Sequence, residues 1–125
     1  MKASYHGILA LVILLGLTSI SCNGKNPTSP GKTATVVVHI VPGSLHSGSL
    51  AYSPDTASVA LGQTVQWIND DNMDHTATEL PSGFDTGTIG ALSSKTITVT
   101  GATGVRPYHC SVVGHDMTGA LSVTP

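Results

Sequence analysis

The chain has 125 residues, with five Lys or Arg, seven Asp or Glu and two cysteines. From Thr33 onward only Lys95 and Arg106 stand against all seven carboxylates, which leaves the C-terminal part acidic and without the basic stripe that nucleic acid requires. The length remaining after the N-terminal segment supports one small domain with a single modest core.

That N-terminal segment reads as an export signal. Lys2 supplies a positive start, and Ile8 to Leu17 is a ten-residue apolar run, too short to span a bilayer as a mature helix. Ser19-Ile20-Ser21-Cys22 resembles a lipobox, with Ser where Leu is usual, so residues 1–21 are expected to be cleaved and Cys22 acylated. Residues 22–34 are rich in Pro, Gly and Ser without apolar periodicity and read as a tether, spanning roughly 20 Å as a flexible coil. The expected location is extracytoplasmic, in the periplasm or at the cell surface, with membrane contact only through the lipid on Cys22. A disulfide between Cys22 and Cys110 is disfavoured, because it would consume the only thiol of the domain over residues 35–125.

Within that domain, Thr35 to Val41 is dense in β-branched residues and reads as a strand with Val36, Val38 and Ile40 on one face. Ser44 to Ser53 is glycine- and serine-rich and carries weak signals. Ala57 to Leu61 and Thr64 to Asn69 read as strands, the second placing Val65 and Trp67 inward. The polar loop from Asn69 to Asp74 does not match the spaced calcium-loop pattern, and its Asx side chains are expected to cap backbone groups. Strand character resumes at His75 to Thr78, at Ser93 to Thr100 with Ile97 and Val99 inward, at Val105 to Cys110 and at Ala120 to Val123. No segment carries a helical period, and about seven short strands predict an antiparallel sandwich or barrel.

The segment Tyr108 to Gly119 concentrates chemistry, with Cys110, His115 and Met117 inside eight residues. Thiolate, imidazole and thioether together are a soft donor set suited to copper, and a second imidazole must come from elsewhere in the chain. His75, where the polar loop meets a strand, is the best source. His39 and His46 stand alone among Ser, Gly and β-branched residues and read as surface or loop histidines. His109 should point away from Cys110, since consecutive strand side chains face opposite ways.

Four pieces, spread over about Ala57 to Val123, resemble the plastocyanin/azurin family of cupredoxins. Trp67, Asn69, Asp71 and His75 stand at the spacing W-x-N-x-D-x3-H. Phe84-Asp85-Thr86-Gly87 resembles the F-x-S-G turn, and Tyr108-His109-Cys110 resembles Y-x-C. The run from Cys110 to Val123 resembles an azurin-type ligand loop shortened by two residues between His and Met. The resemblance implies an all-β, antiparallel Greek-key β-sandwich holding one copper through His75, Cys110 and His115, with Met117 axial. It departs from the family pattern at Thr76, where Asn is usual, and in the short H-x-M spacing.

The function so implied is a monomeric one-electron carrier of the type 1 copper class, with no substrate turnover. Redox partners would dock near Val112, Val113 and His115. A copper-storage or delivery protein, which would exchange metal readily, and a metal-free structural sandwich are the alternatives.

Overall fold

The structure, a computed structural model, describes residues 34–125; the expected leader, Cys22 and all but the last residue of the tether lie outside them. Eight strands run in chain order: β1 (Val36–Ile40), β2 (Tyr52–Ser53), β3 (Thr56–Ala60), β4 (Thr64–Asn69), β5 (Thr78–Glu79), β6 (Ser94–Thr98), β7 (Gly104–His109) and β8 (Thr118–Thr124). A single 3-10 turn at Ser44–His46 is the only helical element among the described residues.

The strands form two four-stranded sheets, ordered β2-β1-β4-β6 and β3-β8-β7-β5. The all-β sandwich expected from the sequence is therefore present, with a difference in strand direction. Pairs β1–β2, β4–β6, β5–β7 and β7–β8 are antiparallel, whereas β1 runs parallel to β4 and β3 parallel to β8. Each sheet is thus mixed, because a side-chain alternation of period two fixes which face is buried and leaves the neighbour's direction open.

Alternation does fix the core. In β4 the residues Val65, Trp67 and Asn69 are buried while the intervening three are partly exposed. Val38, Ile40, Val65 and Trp67 from one sheet meet Ala57, Val59, Tyr108, Leu121 and Val123 from the other. Tyr108 sits at the centre of an aromatic group. Its ring makes edge contacts with Tyr52 at 4.9 Å and Trp67 at 5.7 Å, and Phe84 lies 5.8 Å away. Each such pair contributes about 0.5–1.5 kcal/mol beyond burial of area. The Trp67 N–H and the Tyr108 hydroxyl are both buried and have no partner in hydrogen-bond geometry.

Gly119 explains how Tyr108 fits. The two residues are opposite one another in the β7–β8 ladder, and a Cβ at Gly119 would lie 2.6 Å from the Tyr108 ring. The ring therefore lies over bare backbone, locked there by its aromatic neighbours. This packing holds β7 and β8 in register, and those two strands frame the loop from Cys110 to Met117.

A candidate metal centre at one end of the sandwich

The loops at one end of the sandwich bring the distant His75 up to Cys110 and His115, which lie five residues apart. The nitrogen and sulfur donors of His75, Cys110 and His115 all lie within 4.8 Å of one another. The two imidazoles turn Nδ1 toward each other at 3.2 Å, and the Cys110 Sγ is 3.4 Å from Nδ1 of His115 and 3.9 Å from Nδ1 of His75. His75 and Cys110 are buried, while His115 keeps an exposed edge.

Each donor is held by its own local device. The backbone of His75 exchanges hydrogen bonds with Ile89, at 3.2 and 2.8 Å. Its Nε2 lies 3.0 Å from Oδ2 of Asp71, four residues earlier. Burial alone would raise the Asp71 carboxyl, but hydrogen bonds from His75 and from the backbone N–H groups of Asn72 and Gly43 hold it below its ordinary value. With Asp71 ionised, Nε2 of His75 carries the proton and donates it, which leaves the Nδ1 lone pair directed at the cluster. Burial, then the neighbouring His75 and His46, push the His115 imidazole down, so it too is neutral and able to donate a lone pair at neutral pH.

Cys110 follows β7 directly and is tied to the start of β8 by its N–H, which donates to the Met117 carbonyl at 3.1 Å. The next residues make a tight turn in which the His115 N–H donates to the Val112 carbonyl at 3.1 Å. Gly114 occupies the third position with φ of 86°, the left-handed backbone that a type II turn demands and glycine supplies. The turn lifts Val113 clear of the protein, 97 % exposed.

Thr76 joins the two halves of the cluster. Its backbone N–H donates to the Cys110 Sγ at 3.4 Å, and its Oγ1 accepts the Ser111 N–H at 2.8 Å. The replacement of the family's usual Asn therefore leaves the cysteine sulfur with a donor, because the main chain provides it.

Met117 is fully buried, and the Ser44 hydroxyl points at its Sδ from 4.0 Å. Met73, the other thioether of the domain, is 42 % exposed. The segment after β1 braces the whole loop: the Asp116 N–H donates to the Leu45 carbonyl, and Gly48 bonds Asp116 and Thr118. Sequence reading missed this brace, since a Gly- and Ser-rich segment shows no hydrophobic pattern. It also treated Asp71 as a turn former; the W-x-N-x-D-x3-H spacing carried the signal, since it sets Asp71 four residues before His75.

Among the described residues, the remaining histidines are not part of the donor cluster, although His46 lies close enough to act on His115. His39 pairs its Nδ1 with Asp70 Oδ2 at 2.6 Å on the surface, His46 ends the 3-10 turn, and His109 points to the Thr78 carbonyl at 3.1 Å, away from the cluster.

No known family model matches the chain. Among solved structures it is similar to a purple cupredoxin from Nitrosopumilus maritimus, at 23% identity over 71% of this chain and 99% of that one, with a TM-score of 0.62. A variant of amicyanin in its reduced Cu(I) form at pH 4 matches at 23% identity, covering 73% of this chain and 83% of its own, with a TM-score of 0.56. Another amicyanin variant, in the oxidized state, matches at 23% identity and a TM-score of 0.56, over 72% and 82% of the two chains. The chain has the cupredoxin fold.

Proposed function

We propose that the domain is a type 1 copper protein that carries one electron at a time. The observation that supports this most is the convergence of the His75, Cys110 and His115 donors within 4.8 Å on the cupredoxin fold. Thiolate plus two neutral imidazoles is the trigonal set of electron-transfer copper sites, and the buried Met117 is the fourth, weak donor. The solved relatives include amicyanin in a Cu(I) state and in an oxidized state, which fits a centre that alternates between the two. Bound copper would supply the Cu(II)/Cu(I) couple.

The chain's own residues do the rest. Asp71 holds the His75 tautomer, Thr76 donates to the sulfur, and the β7–β8 ladder fixes the spacing of Cys110 and Met117. A site constrained in this way changes shape little between oxidation states. Visible and EPR spectra of the copper-loaded protein test the reading directly. An intense thiolate band with slow release to a chelator supports electron transfer, fast release favours storage or delivery, and no band at all rejects copper.

Met117→Leu is expected to keep the copper and its visible band while shifting the reduction potential, since an axial donor tunes the metal without holding it. Met73→Leu, on an exposed side chain, should move neither. Voltammetry of the two variants checks the assignment, and the reverse pattern rejects it.

Partners are expected to dock on the turn of Val112 and Val113, beside the exposed edge of His115. Val113 presents an apolar tip at the point where the buried cluster comes nearest to solvent. Val113→Asp should slow electron exchange with a partner by at least roughly tenfold, as an unpaired polar group buried in an apolar contact already costs about 1–3 kcal/mol and a carboxylate costs more. Stopped-flow exchange beside an unchanged visible spectrum is the measurement; unaltered kinetics remove the docking claim.

We infer from the leader-like N-terminal sequence that the domain lies outside the cytoplasm, as a monomer tethered through an acylated Cys22. Mass spectrometry of the native N-terminus should find residues 1–21 removed and a lipid on Cys22; an unmodified Cys22 rejects the anchor.

A further inference from the structure

We propose that Tyr52 is a positioning residue for the metal centre, acting through Thr76 on the Cys110 sulfur; its effect on the reduction potential rests on the copper reading above. Tyr52 lies in β2, at the edge of one sheet, whereas Thr76 lies two residues before β5 of the other. The Tyr52 hydroxyl donates to the Thr76 carbonyl at 2.5 Å, across 24 residues of sequence and between the two sheets.

Thr76 is thereby gripped at three points. Its carbonyl accepts from Tyr52, its N–H donates to the Cys110 Sγ, and its side chain binds Ser111, the residue after Cys110. Fixing the carbonyl sets the orientation of the residue whose N–H meets the sulfur at 3.4 Å. That contact is long, so a small rotation at Thr76 makes or breaks it.

The phenol is suited to such a role. Tyr108 packs edge-on against its ring at 4.9 Å with an interplanar angle of 74°, which prevents swivelling. Burial, then the proximity of Cys110 and Tyr108, push its ionisation far above the usual phenol range. It therefore remains an O–H donor at any working pH. Tyr108 provides the internal contrast, being equally buried in the same aromatic group while its hydroxyl, beside the Trp67 N–H, bonds no backbone group.

An N–H aimed at the sulfur stabilises it most when it bears most negative charge, which is the reduced state of the site. Removing the Tyr52 hydroxyl frees the Thr76 carbonyl, weakens the N–H contact and lowers the potential. The test uses the full chain as Tyr52→Phe and Tyr108→Phe, both of which retain the ring. In the metal-free protein, Thr76 amide exchange followed by NMR should quicken about fivefold in Tyr52→Phe, the loss of one hydrogen bond, and stay unchanged in Tyr108→Phe. In the copper-loaded protein, only Tyr52→Phe should shift the visible band and lower the potential. Substituting 3-fluorotyrosine at position 52, a stronger donor, should move the band the opposite way, and it serves if Tyr52→Phe folds poorly. The proposal is overturned if Thr76 exchange is unaffected, or if both phenylalanine variants behave alike. A protein that takes up no copper would sink the electron-carrier reading, while Thr76 exchange in the metal-free state would still decide the role of Tyr52.

Discussion

Cys110→Ser is expected to abolish the intense visible band of the copper-loaded protein while leaving the fold intact. The band depends on a thiolate bond, and a serine hydroxyl is a hard, protonated donor that cannot replace one. Structurally the exchange is mild. The new hydroxyl is smaller than the thiol and sits slightly farther from the Thr76 N–H, so the metal-free protein should lose only about 1–3 kcal/mol. Absorption during Cu(II) titration, together with urea unfolding of the metal-free variant, separates the two effects. A band that persists, or a variant that does not fold, defeats the assignment of Cys110 as a ligand with no structural role.

The second large effect is expected away from the cluster. Arg106 donates from Nε and Nη2 to the two Glu79 oxygens, at 2.7 and 2.5 Å, and from Nη1 to the Thr100 carbonyl at 2.7 Å. Glu79 also accepts the Phe84 N–H at 3.1 Å, and the guanidinium stands 5.8 Å from the centre of the Phe84 ring. The pair is nearly dry, with side-chain exposures of 11% and 9%. Arg106→Gln leaves a partly buried carboxylate without its counter-charge and should cost about 1–3 kcal/mol, less than breaking a fully buried pair.

The pH dependence gives the sharper test. The Arg106 hydrogen bond outweighs burial and holds the Glu79 carboxyl below its ordinary 4.5. Its folded value lies below the unfolded one, so the pair's contribution is complete above about pH 4.5 and disappears as acid titrates the folded carboxyl. In Arg106→Gln burial dominates and the carboxyl rises, so the Glu79 contribution changes sign and acid favours the folded form. Unfolding midpoints between pH 3 and 7 should show the wild type losing ground in acid and the variant narrowing the gap. Parallel pH profiles would mean that the pair contributes little.

The parts of the fold that were legible in the sequence are those specified by neighbours a few residues away. Strand β4 has the bounds Thr64–Asn69 expected from its alternation, because inward Val65 and Trp67 reveal a buried face without reference to any partner. The grouping of His75 with Cys110 and His115 was legible through motif spacing. The segment from Ser44 to Ser53 was not, since its structure comes from distant residues. Leu45 and Gly48 bond Asp116 and Thr118, and Tyr52 is held by Thr76. The two parallel pairs escaped for the same reason, as nothing within β1 or β3 marks which strand lies beside it. Asp71 was half-read: its Oδ1 does accept the Asn72 N–H in a turn, but its other oxygen serves His75.

The brace between the Ser44 segment and the ligand loop also governs the order in which this centre comes into being. Ser44 and Met117 are 73 residues apart, and His75 is 35 from Cys110 and 40 from His115. An unfolded chain therefore offers only the local trio of Cys110, His115 and Met117, and His75 joins it once a long loop has closed. On the copper reading, whatever affinity the closed site has beyond that of the open chain is added to folding stability.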